Sequence, residues 1–203
     1  MPRKYLHLSP RYIINRLSVI FNEKRYPMNP WLTKDSVNFL NQIILPTDIG
    51  VEFGSGRSTI WFAKRLKHLI SIEDNKDWHR EVSNLIVSNN LLSKIDYRLS
   101  KNDNDYASQA LLLEDNSIDF CLVDGSDRDV CALNILPKLK SGSILCIDNI
   151  NWFLPHESHS PASRKISEGY KTEMWGEFSN NVKDWRRYWT SNGVTDTCIW
   201  IKP

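Results

Sequence analysis

This 203-residue chain has no run of roughly 18 apolar residues, so the sequence predicts no membrane-spanning helix. It has little excess charge: 26 Lys and Arg face 24 Asp and Glu, for a net charge of +2. That balance argues against a general nucleic-acid binder, which carries a basic surplus. The amino terminus is basic, but it has no uninterrupted apolar core and no small-residue cleavage site, so no secretory signal is read there. None of the four cysteines, Cys121, Cys131, Cys146 and Cys198, belongs to a Cys-x-x-Cys pair. Three lie in apolar strand-like runs, where cysteine acts as a small hydrophobe, and a reduced cytoplasmic compartment is the expectation. There are no internal repeats and no low-complexity segment. The length suits one domain with a real core.

The most telling stretch present is Val51-Glu52-Phe53-Gly54-Ser55-Gly56-Arg57-Ser58-Thr59. An apolar run from Ile49 to Phe53 precedes it. An apolar-periodic segment with Ile60, Phe62, Ala63 and Leu66 follows. The pattern reads as strand, glycine turn, helix, and the glycines let a ligand approach the peptide groups. A dinucleotide site would prefer a third glycine or alanine at Thr59 and no acid at Glu52. A carboxylate there repels a pyrophosphate and suits a ligand with positive charge, such as S-adenosylmethionine. The next apolar run, His68 to Ile72, ends in Glu73-Asp74, about 20 residues further on, where a carboxylate can accept both ribose hydroxyls. The bland alternatives are a bare turn at the glycines and a helix cap at Asp74, Asn75 or Asp77.

From Ile49 the chain alternates. Strands are predicted over 49–53, 69–73, 95–99, 118–123 and 143–147, with helices over 57–67, 77–90, 106–113 and 129–139 between them. Val194 to Ile201 reads as a terminal strand. This predicts an α/β fold: a doubly wound, Rossmann-like, mostly parallel sheet with a terminal antiparallel strand and N-terminal helices. Residues 1–47 would hold those helices, 48–148 the cofactor-binding core, 149–193 a substrate lid and 194–203 the last strand. The N-terminal 30 residues carry Arg3, Lys4, Arg11, Arg16, Lys24 and Arg25 against Glu23 alone. There Ile13, Leu17, Ile20 and Phe21 form one helical face, which would pack on the domain, on a second copy as a homodimer, or on a membrane surface. A second helix is predicted over 33–44. The segment 149–193 holds Pro155, His156, His159 and Pro161, then an aromatic helical pattern at Val182, Trp185, Tyr188 and Trp189. Five of the eight Trp lie in the last quarter.

Ligands of open α/β sheets bind outside the carboxyl ends of the strands. Glu52, Glu73, Asp124 and Asp148-Asn149 are the acids there. Four acids at one rim repel one another unless a cation lies between them, either the cofactor's positive centre or a divalent metal.

On these residues, the span 49–148 resembles a class I S-adenosylmethionine-dependent methyltransferase, and more narrowly a little-characterised bacterial branch of that superfamily. The narrower likeness rests on Trp31, Glu52-Phe53-Gly54-Ser55-Gly56 with Ser58-Thr59, Ser71-Ile72-Glu73 with Trp78, Val123-Asp124-Gly125-x-x-Arg128-x-x-Cys131, and Asp148-Asn149. It implies cofactor contacts at Glu52, Gly54, Ser55, Gly56, Ser58, Glu73 and Asp124, and an adenine contact at Asp103. Asp124, Arg128, Asp148 and Asn149 would form the catalytic set. The implied activity is methyl transfer (EC 2.1.1.-) to a small-molecule, oxygen acceptor, with no nucleic-acid partner.

A second resemblance is to metal-dependent catechol-type O-methyltransferases, whose metal-binding residue types recur at Asp124, Asp148 and Asn149. Such a set suits Mg²⁺. The lysine those enzymes carry three residues after the first Asp is Asp127 here, so the metal-free reading is favoured. Arg128 cannot lose a proton near neutral pH but could hold an acidic substrate. His156 or His159 could supply a base, although loop histidines are usually solvated. The rivals are aminopropyl transfer, with Asp124, Asp127 and Asp148 around an amine, and a noncatalytic cofactor-binding relative.

Overall fold

Alternate residues of each central strand go into different cores, and that splitting builds the molecule. The computed structural model describes residues 7–100 and 103–203, without the side chains of 103 and 104. The parallel strands are β1 (Ile49–Phe53), β2 (His68–Glu73), β3 (Ile95–Leu99), β4 (Ile118–Val123) and β5 (Leu139–Asp148). β6 (Arg186–Ser191) and β7 (Asp196–Ile201) complete one seven-stranded sheet in the order β3-β2-β1-β4-β5-β7-β6. β7 runs antiparallel to both β5 and β6.

Val51, Phe53, Cys121, Val123, Leu145, Ile147, Cys198 and Trp200 share one core. Phe120, Leu122, Ile144, Cys146 and Ile199 share the other. Strands buried on both faces need helices on both faces. Helices α1 (Pro10–Arg25), α2 (Lys34–Ile43), α3 (Arg57–Ala63) and α4 (Lys76–Ser88) precede the single turn α5 (Asp103–Tyr106). α6 (Arg128–Ile135) and α7 (Glu173–Asn181) follow. α2, α3 and α4 cover the second core, and α6 and α7 cover the first.

Connections β1→β2→β3 lead toward one edge, and those from β4 lead toward the other. The strand order therefore reverses between β1 and β4, which opens a crevice at their carboxyl ends. The ladder continues just past the strands there: Asp124 N–H donates to Phe53 O at 2.9 Å, and Gly54 N–H to Ile72 O at 2.9 Å.

Several expectations are corrected. The aromatic segment around Trp185–Trp189 is not helical, because residues 186–191 pair with β7 as the edge strand. The spacing of Trp185, Tyr188 and Trp189 suits a helix, but Thr190 is drawn into the sheet by buried hydroxyl partners. Arg186 and Arg187 keep the edge charged. Helix α3 stops at Ala63, and the turn beyond it is tied to β1 by Lys67 N–H donating to Asp48 O. The helix predicted over 106–113 is α5 followed by a 3₁₀ stretch, Ala107–Leu112. Within 149–193, Trp175, Phe178 and Val182 are buried under the sheet. The N-terminal helix forms where expected, yet none of its residues is buried. Asp103, Arg3 and Lys4 lie outside the described side chains.

Candidate functional site

The glycine loop folds as predicted, and its two glycines do different jobs. Gly54 has φ +92°, and a Cβ there would stand 2.7 Å from the Gly125 nitrogen. A Cβ on Gly125 would run into the Tyr106 hydroxyl. The two turns after β1 and β4 therefore touch backbone to backbone. Around Gly56 there is room, the nearest atom being a Trp78 ring carbon at 3.8 Å from a built Cβ. Trp78 leans on the loop by donating its indole N–H to Ser55 O at 2.8 Å.

The acids expected in the loop lie beneath it. Glu52 is fully buried, with Oε2 accepting from Thr59 Oγ1 at 2.6 Å and Ser71 Oγ at 2.8 Å. Its Oε1 has no partner. Burial pushes its pKa up to about 7, against the hydroxyls of Ser58, Thr59 and Ser71. Glu73 Oε2 accepts from Ser55 N–H and Oγ at 3.0 and 2.6 Å. Its Oε1 accepts from the N–H groups of Asp74 and Asn75. Ser55 Oγ also lies 2.7 Å from Tyr97 Oη. The Tyr106 hydroxyl is buried without a partner, and burial raises its pKa. Tyr97 and Tyr106 stand here without any signal in the sequence, because nothing local marks a tyrosine whose hydroxyl points under a loop.

At the ends of β4 and β5, Arg128 commits all five guanidinium N–H groups. It donates to the carbonyls of Gly125 (2.8 Å), Asp124 (2.6 Å) and Asp148 (2.6 Å). It also donates to Asn149 Oδ1 at 3.1 Å and pairs with Asp124 Oδ1 at 3.1 Å. An arginine so engaged is a clasp between two strand ends, not an open cation awaiting an acidic substrate. Asn149 takes left-handed backbone, φ +49°, and donates to Thr195 Oγ1 at 2.6 Å. Asp148 is buried, accepting from Thr197 Oγ1 at 2.5 Å. Thr197 Oγ1 in turn accepts from Thr33 N–H, the first residue before α2.

Burial raises the pKa of Asp124, opposed by Arg128, and burial with the Asp124 charge raises that of Asp148. The pair thus retains a proton at higher pH than two isolated carboxylates would. Asp127 turns outward and starts α6 in left-handed backbone. His156 stacks on Trp189 at 4.0 Å, and burial lowers its pKa.

Asp124, Asp148 and Asn149 open onto a cleft of about 920 Å³. Its other walls are α1, the segment 26–35 and the β6–β7 turn, with Trp31 and Trp152 among the aromatics. Sequence reasoning missed the part α1 plays here. Asn15, Arg16 and Arg25 of α1 face this cleft.

No protein-family model matches the chain, and no curated protein matches it. Solved structures do. An O-methyltransferase from Bacillus cereus in complex with SAH superposes with a TM-score of 0.64 at 15% identity, over 93% of this chain and 90% of that one. A methyltransferase from Geobacter sulfurreducens gives 0.57 at 12% identity, over 93% and 88%. An rRNA methylase from Streptococcus thermophilus gives 0.58 at 13%, over 83% and 94%. The chain has the Rossmann-like methyltransferase fold. An O-methyltransferase and an rRNA methylase are both among these neighbours, so the fold leaves the acceptor open.

Proposed function

We propose that this chain is an S-adenosylmethionine-dependent methyltransferase that methylates an oxygen of a small acceptor held in the cleft. One observation carries the reading. The glycine loop and the acid-lined cleft meet at a single turn, 124–125, so a ligand on the loop and a ligand in the cleft would be neighbours. The residues fit a cationic cofactor: Glu52 Oε1 and the Tyr106 hydroxyl are buried without partners beside the loop. Glu73 would hold the ribose in exchange for the Ser55 hydroxyl it now accepts. Gly56 and Ser58 line the same turn.

The cofactor, when bound, supplies the electrophilic methyl; orientation and desolvation fall to the chain. Asp124, largely buried but reaching the cleft floor, would take the acceptor's hydroxyl proton, and Arg128 holds it in place. Asp148 and Asn149 shape the floor.

A divalent ion does not fit Asp124, Asp148 and Asn149 as they stand, because the Arg128 guanidinium already bonds Asp124 and Asn149 and Thr197 bonds Asp148. Aminopropyl transfer loses one of its three acids, since Asp127 lies outside the cleft wall. The deciding experiment is titration calorimetry with S-adenosylhomocysteine on the parent chain and on Glu73→Ala. Binding weakened at least about tenfold by the substitution supports the reading. No binding to the parent, or equal binding to both, sinks it. Asp124→Asn should keep that affinity within about twofold while turnover falls about 10²-fold or more.

A further inference from the structure

Helix α1 is inside out. Its polar side, with Asn15, Asn22 and Glu23, faces the cleft. Its point of contact with the β6–β7 turn is also polar, since a Cβ on Gly193 would run into the Asn15 amide. The opposite side carries Ile13, Ile14 and Leu17, which are 49, 65 and 61% exposed, and Phe21, 65% exposed, continues the stripe to the cleft rim. Ordinary surface helices turn that stripe toward the core. Here no residue of the helix is buried. Exposed apolar residues continue past both ends, through Leu8 before the helix and Tyr26, Met28 and Trp31 after it, of which Tyr26 and Trp31 also line the cleft mouth.

The charges decide what covers it. The helix carries Arg11, Arg16, Lys24 and Arg25 against Glu23 alone; Arg11, Arg16, Lys24 and Arg25 are exposed, and Arg25 and Glu23 both reach the cleft side. Two α1 helices packed stripe to stripe would set like charge against like charge. In the antiparallel arrangement Arg11 meets Lys24 and Arg25 of the other copy. In the parallel one each basic residue meets its own counterpart. An anionic surface has no such conflict. Apolar residues along one side, an excess of basic residues on the helix and Trp and Tyr at one end are what an interfacial helix presents to lipid headgroups.

We propose that α1 seats this chain on an anionic lipid bilayer, with the apolar stripe inserted at the headgroup boundary. The mouth of the cleft, of which α1 is a wall, then lies beside the membrane surface.

Vesicle flotation tests this, with phosphatidylcholine vesicles alone and with about one-fifth phosphatidylglycerol. The parent chain should float with the anionic vesicles, and far less with the neutral ones. Rising salt should weaken it. Ile14→Ser combined with Leu17→Ser should lower partitioning at least about tenfold, with an unchanged melting curve, because both side chains are already in water. Arg11→Glu with Lys24→Glu should lower it as well, and serves if the first variant misfolds. The proposal is overturned if the parent stays with the soluble fraction on anionic vesicles, if it floats equally on both kinds, or if both variants float like the parent. It is also overturned if light scattering shows a stable dimer that Ile14→Ser with Leu17→Ser dissolves, which would assign the stripe to a second copy.

Discussion

Glu52 is a carboxyl group with two hydroxyl donors on one oxygen and nothing on the other, closed off from water under the glycine loop. Its pKa of about 7, against 4.5 when unstrained, means the folded chain holds this proton more tightly than the unfolded chain does. The stability it supports is therefore full below pH 4.5 and is lost as the pH rises through about 7. The size is on the order of 3 kcal/mol. Glu52→Gln cannot titrate, so its melting temperature should fall less than the parent's between pH 5 and pH 8. Thermal melts across that range check this; an unchanged slope would move the effect to other carboxyls. The glycines make a second residue-scale contrast. Gly54→Ala meets a positive φ and the Gly125 backbone, and should cost about 1–3 kcal/mol of stability. Gly56→Val should melt within about 0.5 kcal/mol of the parent. It should nonetheless weaken S-adenosylhomocysteine by at least about tenfold, because the side chain would stand where the loop has room.

At the scale of elements, Arg128 adds a clasp just past the ends of β4 and β5, which pair in the sheet as far as Val123 and Ile147. Removing it strands three carbonyls and the Asp124 carboxylate. Arg128→Ala should cost about 3–5 kcal/mol, measured by denaturant unfolding, and Arg128→Lys should recover only part, since a point charge cannot reach five acceptors. A similar anchor holds β6: Thr190 Oγ1 lies 2.5 Å from Thr33 Oγ1 and 2.7 Å from Ser36 Oγ, and donates to Thr197 O at 3.0 Å. Thr190→Val leaves these groups short of a partner and should cost about 1–3 kcal/mol by the same measurement. The strand was illegible in sequence for this reason. What makes residues 186–191 a strand is an antiparallel neighbour and a hydroxyl cluster from α2, both distant along the chain. Strands β1 to β5 were legible because each is an apolar run whose alternation feeds two cores.

Over the whole molecule, the cofactor loop and the cleft are built by separate parts of the chain. The loop joins β1 to α3 and is held by Glu73 of β2 and Trp78 of α4. The cleft takes its floor from β4 and β5, and its walls from α1, the segment before α2 and the β6–β7 turn. A ligand bound to the folded chain alone should raise the melting temperature by mass action, and S-adenosylhomocysteine at 100 times its Kd should add about 2.7 kcal/mol. With the Arg128 guanidinium filling the space between Asp124 and Asn149, EDTA should leave turnover unchanged. Activity stopped by EDTA and restored by Mg²⁺ would show that the clasp opens to admit an ion. Among the described residues, no helix is long and apolar enough to cross a membrane.

The sequence by itself determined the α/β alternation, the acid-glycine turn after the first strand and the acids that end β1, β2, β4 and β5. These are local signals: period-two apolar runs, a glycine pair, a polar residue closing a strand. Tertiary structure decided what those acids can reach. Glu52 reads as a loop carboxylate in sequence, yet it is sealed beneath the loop because β1 is flanked on both sides and its side chain points into a packed interior. Arg128 reads as an open cation at a helix start, yet the carbonyls of two strand ends converge on it. The N-terminal stripe reads as a face that packs on the domain, on a second copy or on a membrane; in the fold it points outward, with Asn15 on the other side against Gly193. Each outcome depends on groups brought together from distant parts of the chain, and no local pattern records that.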